Sequence, residues 1–174
     1  MYIVVGLGNP GVEYEHTRHN TGRMASELIA EKVKGIKVLV PDTFMNHSGK
    51  FVVKIVKSKK AAEKLIVIYD DLDLALGTMK ISYNRSSGGH RGLESIIKAL
   101  KTEAFIRIRL GISPATPSGK LKKPKGESAV EKHILTDFKP KEMETLKKVF
   151  KSVVTAVETI KDQNLQAAMT EFNS

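Results

Sequence analysis

The chain has no cysteine among its 174 residues. That removes a disulfide framework, a thiolate nucleophile and a cysteine-based zinc site. No apolar run reaches the length of a membrane span. The N-terminus lacks a basic stretch followed by an apolar one, so no secretory signal is expected, and a cytoplasmic protein is. There is no Gly-x-Ser-x-Gly nucleophile elbow, and the serines have no obvious neighbouring base. Acidic residues are the scarcer charge. Lys and Arg number 29 against 19 Asp and Glu, a net +10 that favours polyanionic partners through counterion release. Some of the excess clusters at Lys57–Lys60 and Lys120–Lys125. Arg18, Arg85, Arg91, Arg107 and Arg109 lie instead in or beside the polar segments described below.

Hydrophobic content of 41% and charged content of 28% are ordinary for a globular protein. The length is most simply one domain, spanning 1–174. Strand-like runs at 2–6, 36–40, 64–69, 78–83 and 105–112 alternate with helix-like runs at 20–34, 46–58, 90–101, 141–161 and 163–171. This alternation predicts an α/β fold, a twisted, mostly parallel (mixed) sheet with helices on both faces. Ile66-Val67-Ile68 reads as a central strand. Ile106, Ile108 and Leu110 alternate with Arg107 and Arg109, which predicts one wetter face. Residues 113–128, rich in Pro, Ser and Lys, read as a mobile loop.

The densest run of polar chemistry is Gly6-Leu-Gly-Asn-Pro-Gly-Val-Glu-Tyr-Glu-His-Thr-Arg-His-Asn-Thr-Gly22, directly after the first apolar strand. Its Gly6-x-Gly8-x-x-Gly11 matches the dinucleotide-binding fingerprint. That fingerprint needs a helix to open at once and receive the pyrophosphate. Here Pro10-Gly11 makes a turn, and polar residues run on to Thr21. A nucleotide-dependent oxidoreductase is therefore a minor alternative, and no cofactor is assigned.

His19 follows the first strand, and Asp70 follows the strand at 64–69. If the strands are parallel, both sit at one sheet edge. A carboxylate on one imidazole nitrogen fixes the tautomer and leaves the other nitrogen to take a proton from water. Asn9 and Asn46 offer amide donors suited to a peptide group or a developing oxyanion. Turn and N-cap roles are the ordinary alternatives for these two. His16-x-x-His19 has metal-ligand spacing without a convincing third or fourth ligand, so no metal is assigned.

Four segments occur in order: Gly8-Asn-Pro-Gly11 with Thr17-Arg-His-Asn20, Pro41-Asp-Thr-Phe-Met-Asn-His-Ser-Gly-Lys50, Asp70-Asp-Leu-Asp-Leu74, and Gly88-Gly-His-Arg-Gly-Leu93. Together they resemble the bacterial-type peptidyl-tRNA hydrolases to about residue 112, and more loosely through Val130–Leu135 to the C-terminus. The resemblance implies metal-independent hydrolysis of the ester joining a peptide to tRNA, by a monomer in the cytoplasm. It puts Asn9, His19, Asn46 and Asp70 in the catalytic centre, and Tyr14, Asn20, Phe44, His90 and Arg91 around the substrate. It gives Arg109 a tRNA phosphate, and makes 113–128 a flap whose lysines reach the acceptor stem.

Three departures stand out. Arg91 replaces the family's usual asparagine. Ser82 stands where a lysine often partners the arginine at Arg109, with Lys80 two residues back. The connection between the helix at 20–34 and the strand at 36–40 is short, where relatives commonly place further strands. The main rival is a non-catalytic RNA-binding protein on the same scaffold, as in plant chloroplast splicing factors. RNA binding alone does not need the His19–Asp70 pair.

Overall fold

The computed structural model describes residues 1–174. Five strands form one sheet: β1 (Ile3–Gly6), β2 (Lys37–Leu39), β3 (Leu65–Ala75), β4 (Met79–Tyr83) and β5 (Ile106–Ser113). Their order is β2-β1-β3-β5-β4. All pairs are parallel except β4 with β5. The short 33–36 connection leads into a three-residue edge strand, β2.

Helices cover both faces, as the alternation predicts. One core layer joins Val4, Ile66 and Ile68 to Ala25 and Ile29 of α1 (Thr21–Lys32) and to Val153 and Val157 of α6 (Pro140–Asp162). The other joins Val5, Leu65 and Val67 to Val52 of α2 (Ser48–Val52) and to Leu93 and Ile96 of α4 (Arg91–Leu100). α1 lies close to the sheet because Gly22 has no side chain: a Cβ there would stand 2.0 Å from the Ile68 carbonyl oxygen.

Several elements differ from the sequence reading. The segment 46–58 is not one helix. It is a 3-10 turn at Met45–His47, the short α2, further turns, and then α3 (Lys59–Ala62). Gly49 and the β-branched pairs Val52-Val53 and Ile55-Val56 weaken a continuous helix, and the Ser58 hydroxyl caps α3 by accepting from Ala61 N. β3 runs six residues past Tyr69, with a register irregularity between Asp71 and Ala75 where it pairs β5. Asp70 is thus within the strand, not after it. No wetter face exists on β5: every residue from Ile106 to Ser113 is buried, Arg107 and Arg109 included. The end of the 113–128 loop opens α5 (Glu127–Ile134), a helix the periodicity did not yield.

The last helix, α7 (Leu165–Phe172), ends against the open edge of the sheet. There the Asn173 side chain imitates a neighbouring strand. Its Oδ1 accepts from Ile81 N and its Nδ2 donates to Ile81 O, both at 2.8 Å. Lys80 Nζ donates to the Asn173 carbonyl at 2.7 Å.

Candidate active site

The chain leaving β1 does not enter a helix. It makes 3-10 turns at Val12–Tyr14 and Arg18–Asn20, and α1 begins only at Thr21. α1 reaches this turn only after those 3-10 turns, and the amides there are already engaged: Arg23 N donates to Leu7 O at 3.0 Å and Asn9 N to Asn20 Oδ1 at 2.8 Å, which leaves neither for a pyrophosphate. The second turn carries His19 to the upper part of β3, where Asp70 projects.

Asp70 is the hub. His19 Nδ1 lies 3.1 and 2.9 Å from its two carboxylate oxygens. His90 Nε2 lies 2.9 Å from Oδ1. A carboxylate only accepts, so both nitrogens carry the proton. The tautomer of His90 is fixed a second way: its Nδ1 accepts from Leu93 N at 3.2 Å, capping α4. The free nitrogen of His19 is therefore Nε2. Asp70 is 4% exposed. Burial alone would raise its pKa, but the two imidazoles outweigh that and hold the carboxyl well below the usual carboxylate range. The imidazole rings are 4.9 Å apart, and Tyr69 stands edge-on to His90 at 5.0 Å.

His19, Asp70 and His90 also have the makings of a three-ligand metal group, their ligand atoms lying within 4.8 Å. The capping bond decides against it. With Leu93 N–H directed at Nδ1, the Nε2 of His90 keeps its proton and cannot ligate. The cluster is arranged to hold protons.

The amides form a second group. Asn20 Oδ1 accepts from Asn9 N at 2.8 Å, and Asn20 Nδ2 donates to Asn9 O at 3.0 Å. Asn9 Oδ1 in turn accepts from Met45 N at 2.8 Å. This fixes the orientation of the Asn9 amide and leaves its Nδ2 unengaged. Asn46 lies inside the 3-10 turn and caps nothing.

A cleft of about 580 Å3 gathers most of these residues. Asn9, His19, Asn46 and Asp70 line it together, as do Phe44, His90, Arg91 and Arg109. Asn20 stands behind Asn9, and Tyr14 packs edge-on against Phe44 at 6.3 Å; neither lines the cleft. Arg109 Nε donates to Asp71 at 2.7 Å and Nη1 to Ser82 Oγ at 3.3 Å. Arg91 pairs with Glu127 at 3.1 Å, across the cleft mouth. Lys123 of the 113–128 loop pairs with Asp73 at 2.6 Å. Sequence reasoning missed the wall made by α5, which presents Val130 and Ile134. Their i, i+4 spacing was the available signal.

The sequence matches the family described as Peptidyl-tRNA hydrolase over residues 3–174. It is 40% identical over 173 residues to a peptidyl-tRNA hydrolase of Aquifex aeolicus, covering 87% of this chain and 85% of that one. It is 36% identical over 195 residues to one of Syntrophotalea carbinolica, covering 100% and 97%. Among solved structures, the peptidyl-tRNA hydrolase of Acinetobacter baumannii superposes with a TM-score of 0.87 at 28% identity, over 100% of this chain and 95% of that one. Match, fold and motif order agree, and the chain belongs to the peptidyl-tRNA hydrolase family.

Proposed function

We infer that the chain hydrolyses the ester bond of peptidyl-tRNA, releasing tRNA and peptide. The observation that carries this is the His19–Asp70 pair in the cleft, with Nε2 unengaged. His19 Nε2 takes a proton from water as the water attacks the ester carbonyl, and Asp70 stabilises the imidazolium that forms. The Nδ2 groups of Asn9 and Asn46 donate to the oxyanion. The imidazolium then returns its proton to the departing ribose oxygen. A ribose ester is labile enough that activated water and oxyanion stabilisation suffice without a covalent intermediate.

The remaining residues take supporting roles in this reading. Asn20 acts through Asn9, and His90 acts through Asp70. Tyr14 and Phe44 form an aromatic rim for the substrate. Arg91 and Arg109 reach the acceptor stem by exchanging their carboxylate partners for phosphate. No helix is long and apolar enough to cross a membrane, and we place a monomer in the cytoplasm, where its substrate arises. The RNA-binding alternative leaves His19–Asp70 unexplained, and the relatives named above are all hydrolases.

The test is hydrolysis of N-acetylated against free aminoacyl-tRNA. The blocked substrate should be cleaved and the free one poorly, because a free ammonium must be desolvated beside the amides. His19→Ala should lower kcat by on the order of 10²–10⁴ while tRNA binding persists. Equal rates on both substrates, or a folded His19→Ala within threefold of the parent, would refute the reading.

A further inference from the structure

The cleft of this basic protein is not basic. Its lining holds five acidic residues (Asp70, Asp71, Asp73, Glu127, Glu131) and four cationic ones (Arg85, Arg91, Arg109, Lys123). Three of the four cations are already matched. Arg91 pairs with Glu127, Arg109 with Asp71 and Lys123 with Asp73. Arg85 alone has no carboxylate partner.

Its setting is built from below. Asn84 takes the left-handed conformation at φ 50° and turns the chain out of β4. Two residues on, the Ser86 carbonyl accepts from Arg107 Nη1 at 2.8 Å. Arg107 is fully buried, its Nη2 donates to Glu103 O at 3.2 Å, and its guanidinium lies 4.4 Å over the Phe105 ring. It too has no ion-pair partner. Burial lowers the pKa of Arg107, and the nearby Arg85 charge lowers it further, against Tyr69 and Glu103. Arg107 thus lies buried behind the loop it anchors, and Arg85 is the one cation lining the cleft without a carboxylate partner. An anion approaching the site meets net attraction there, while elsewhere it must first displace a carboxylate.

We propose that Arg85 is a further side chain with which this enzyme grips a phosphate of its tRNA, the one that need not first give up a carboxylate. The contact rests on the hydrolase reading above. It accounts for the serine at Ser82 in place of the expected lysine: the cation has moved three residues along the chain, onto the loop that Arg107 anchors. Lys80 does not fill the role, since its ammonium is held at the sheet edge by the Asn173 carbonyl. A guanidinium suits a phosphate because it donates two parallel hydrogen bonds.

The experiment compares the parent with Arg85→Gln, Arg85→Lys and Arg91→Gln, using N-acetylated aminoacyl-tRNA for kinetics and deacylated tRNA for binding against salt. Arg85 is exposed, so folding should be unaffected. Arg85→Gln should raise KM by roughly tenfold with kcat unchanged. The slope of log affinity against log salt should become shallower by about one, the value for one lost phosphate contact. Arg85→Lys should restore that slope. Arg91→Gln should change it by less, because Glu127 already neutralises Arg91. If the parent hydrolyses and binds but Arg85→Gln leaves KM and slope unchanged, the phosphate assignment is wrong and the hydrolase reading stands. A parent that does not hydrolyse the substrate overturns both.

Discussion

Asp70 accepts from two histidines and from nothing else, and this makes it a stabilising residue as well as a functional one. Its folded pKa lies below the ordinary value, so the sign of the linkage follows. Its ionised form favours the folded state at any pH above the unfolded value of about 4. That contribution fades as pH falls through the folded pKa. The stability gap between the parent and Asp70→Asn should therefore narrow as pH falls below about 4. Denaturant unfolding of both proteins on either side of that pH checks it. A gap that widens below about pH 4 would mean that Asp70 is held protonated. At this scale His19 and Asp70 were legible because each follows a predicted strand and because the motifs that carry them occur in the family's order; either residue alone reads equally well as a solvated loop side chain. Two features were not legible: the second bond to His90, and the fixed Asn9 amide. Both depend on which nitrogen or oxygen faces which neighbour, and a linear sequence does not encode that.

Among the elements, α5 has the weakest independent claim to its position, since none of its residues is fully buried. Arg18 holds it there. The guanidinium donates to the carbonyls of His133, Thr136 and Asp137 at 3.4, 3.0 and 3.3 Å, and to Glu142 at 3.0 Å. Glu142 also accepts from Lys139 N at the start of α6. One buried side chain thus ties the end of α5 and the start of α6 to the residue before His19. Arg18→Met should cost about 2–3 kcal/mol, the scale of hydrogen bonds to a charged group. It should also raise KM more than it lowers kcat, because α5 is a cleft wall and His19 keeps Asp70. A thermal melt with steady-state kinetics tests both, and an unchanged melting temperature would count against the anchor. This junction explains why α5 was illegible. The helix is short, polar and held by a distant arginine, whereas α4 and α6 declare themselves by their own apolar stripes. The extension of β3 was hidden for a related reason: Asp70, Asp71 and Asp73 are poor strand formers, and pairing with β5 overrides that preference.

For the whole molecule, charge and topology divide the labour. The excess of +10 lies largely outside the cleft, so it draws a polyanion to the surface without crowding the reacting ester with cations. The five-strand sheet leaves two borders. One is closed by brevity, since β2 has only three residues. The other is closed by a single amide, because Asn173 occupies the outward N–H and C=O of Ile81. Strand borders with free hydrogen-bonding groups recruit further strands. Asn173→Ala should leave hydrolysis near the parent rate, since the residue is remote from the cleft. It should also make the protein self-associate as concentration rises, read by light scattering. Scattering identical to the parent at all concentrations would show that the border is protected by other means. One amide thus takes at Ile81 the place that a sixth strand would otherwise take, satisfying the outward donor and acceptor with a side chain that cannot itself be extended by another strand.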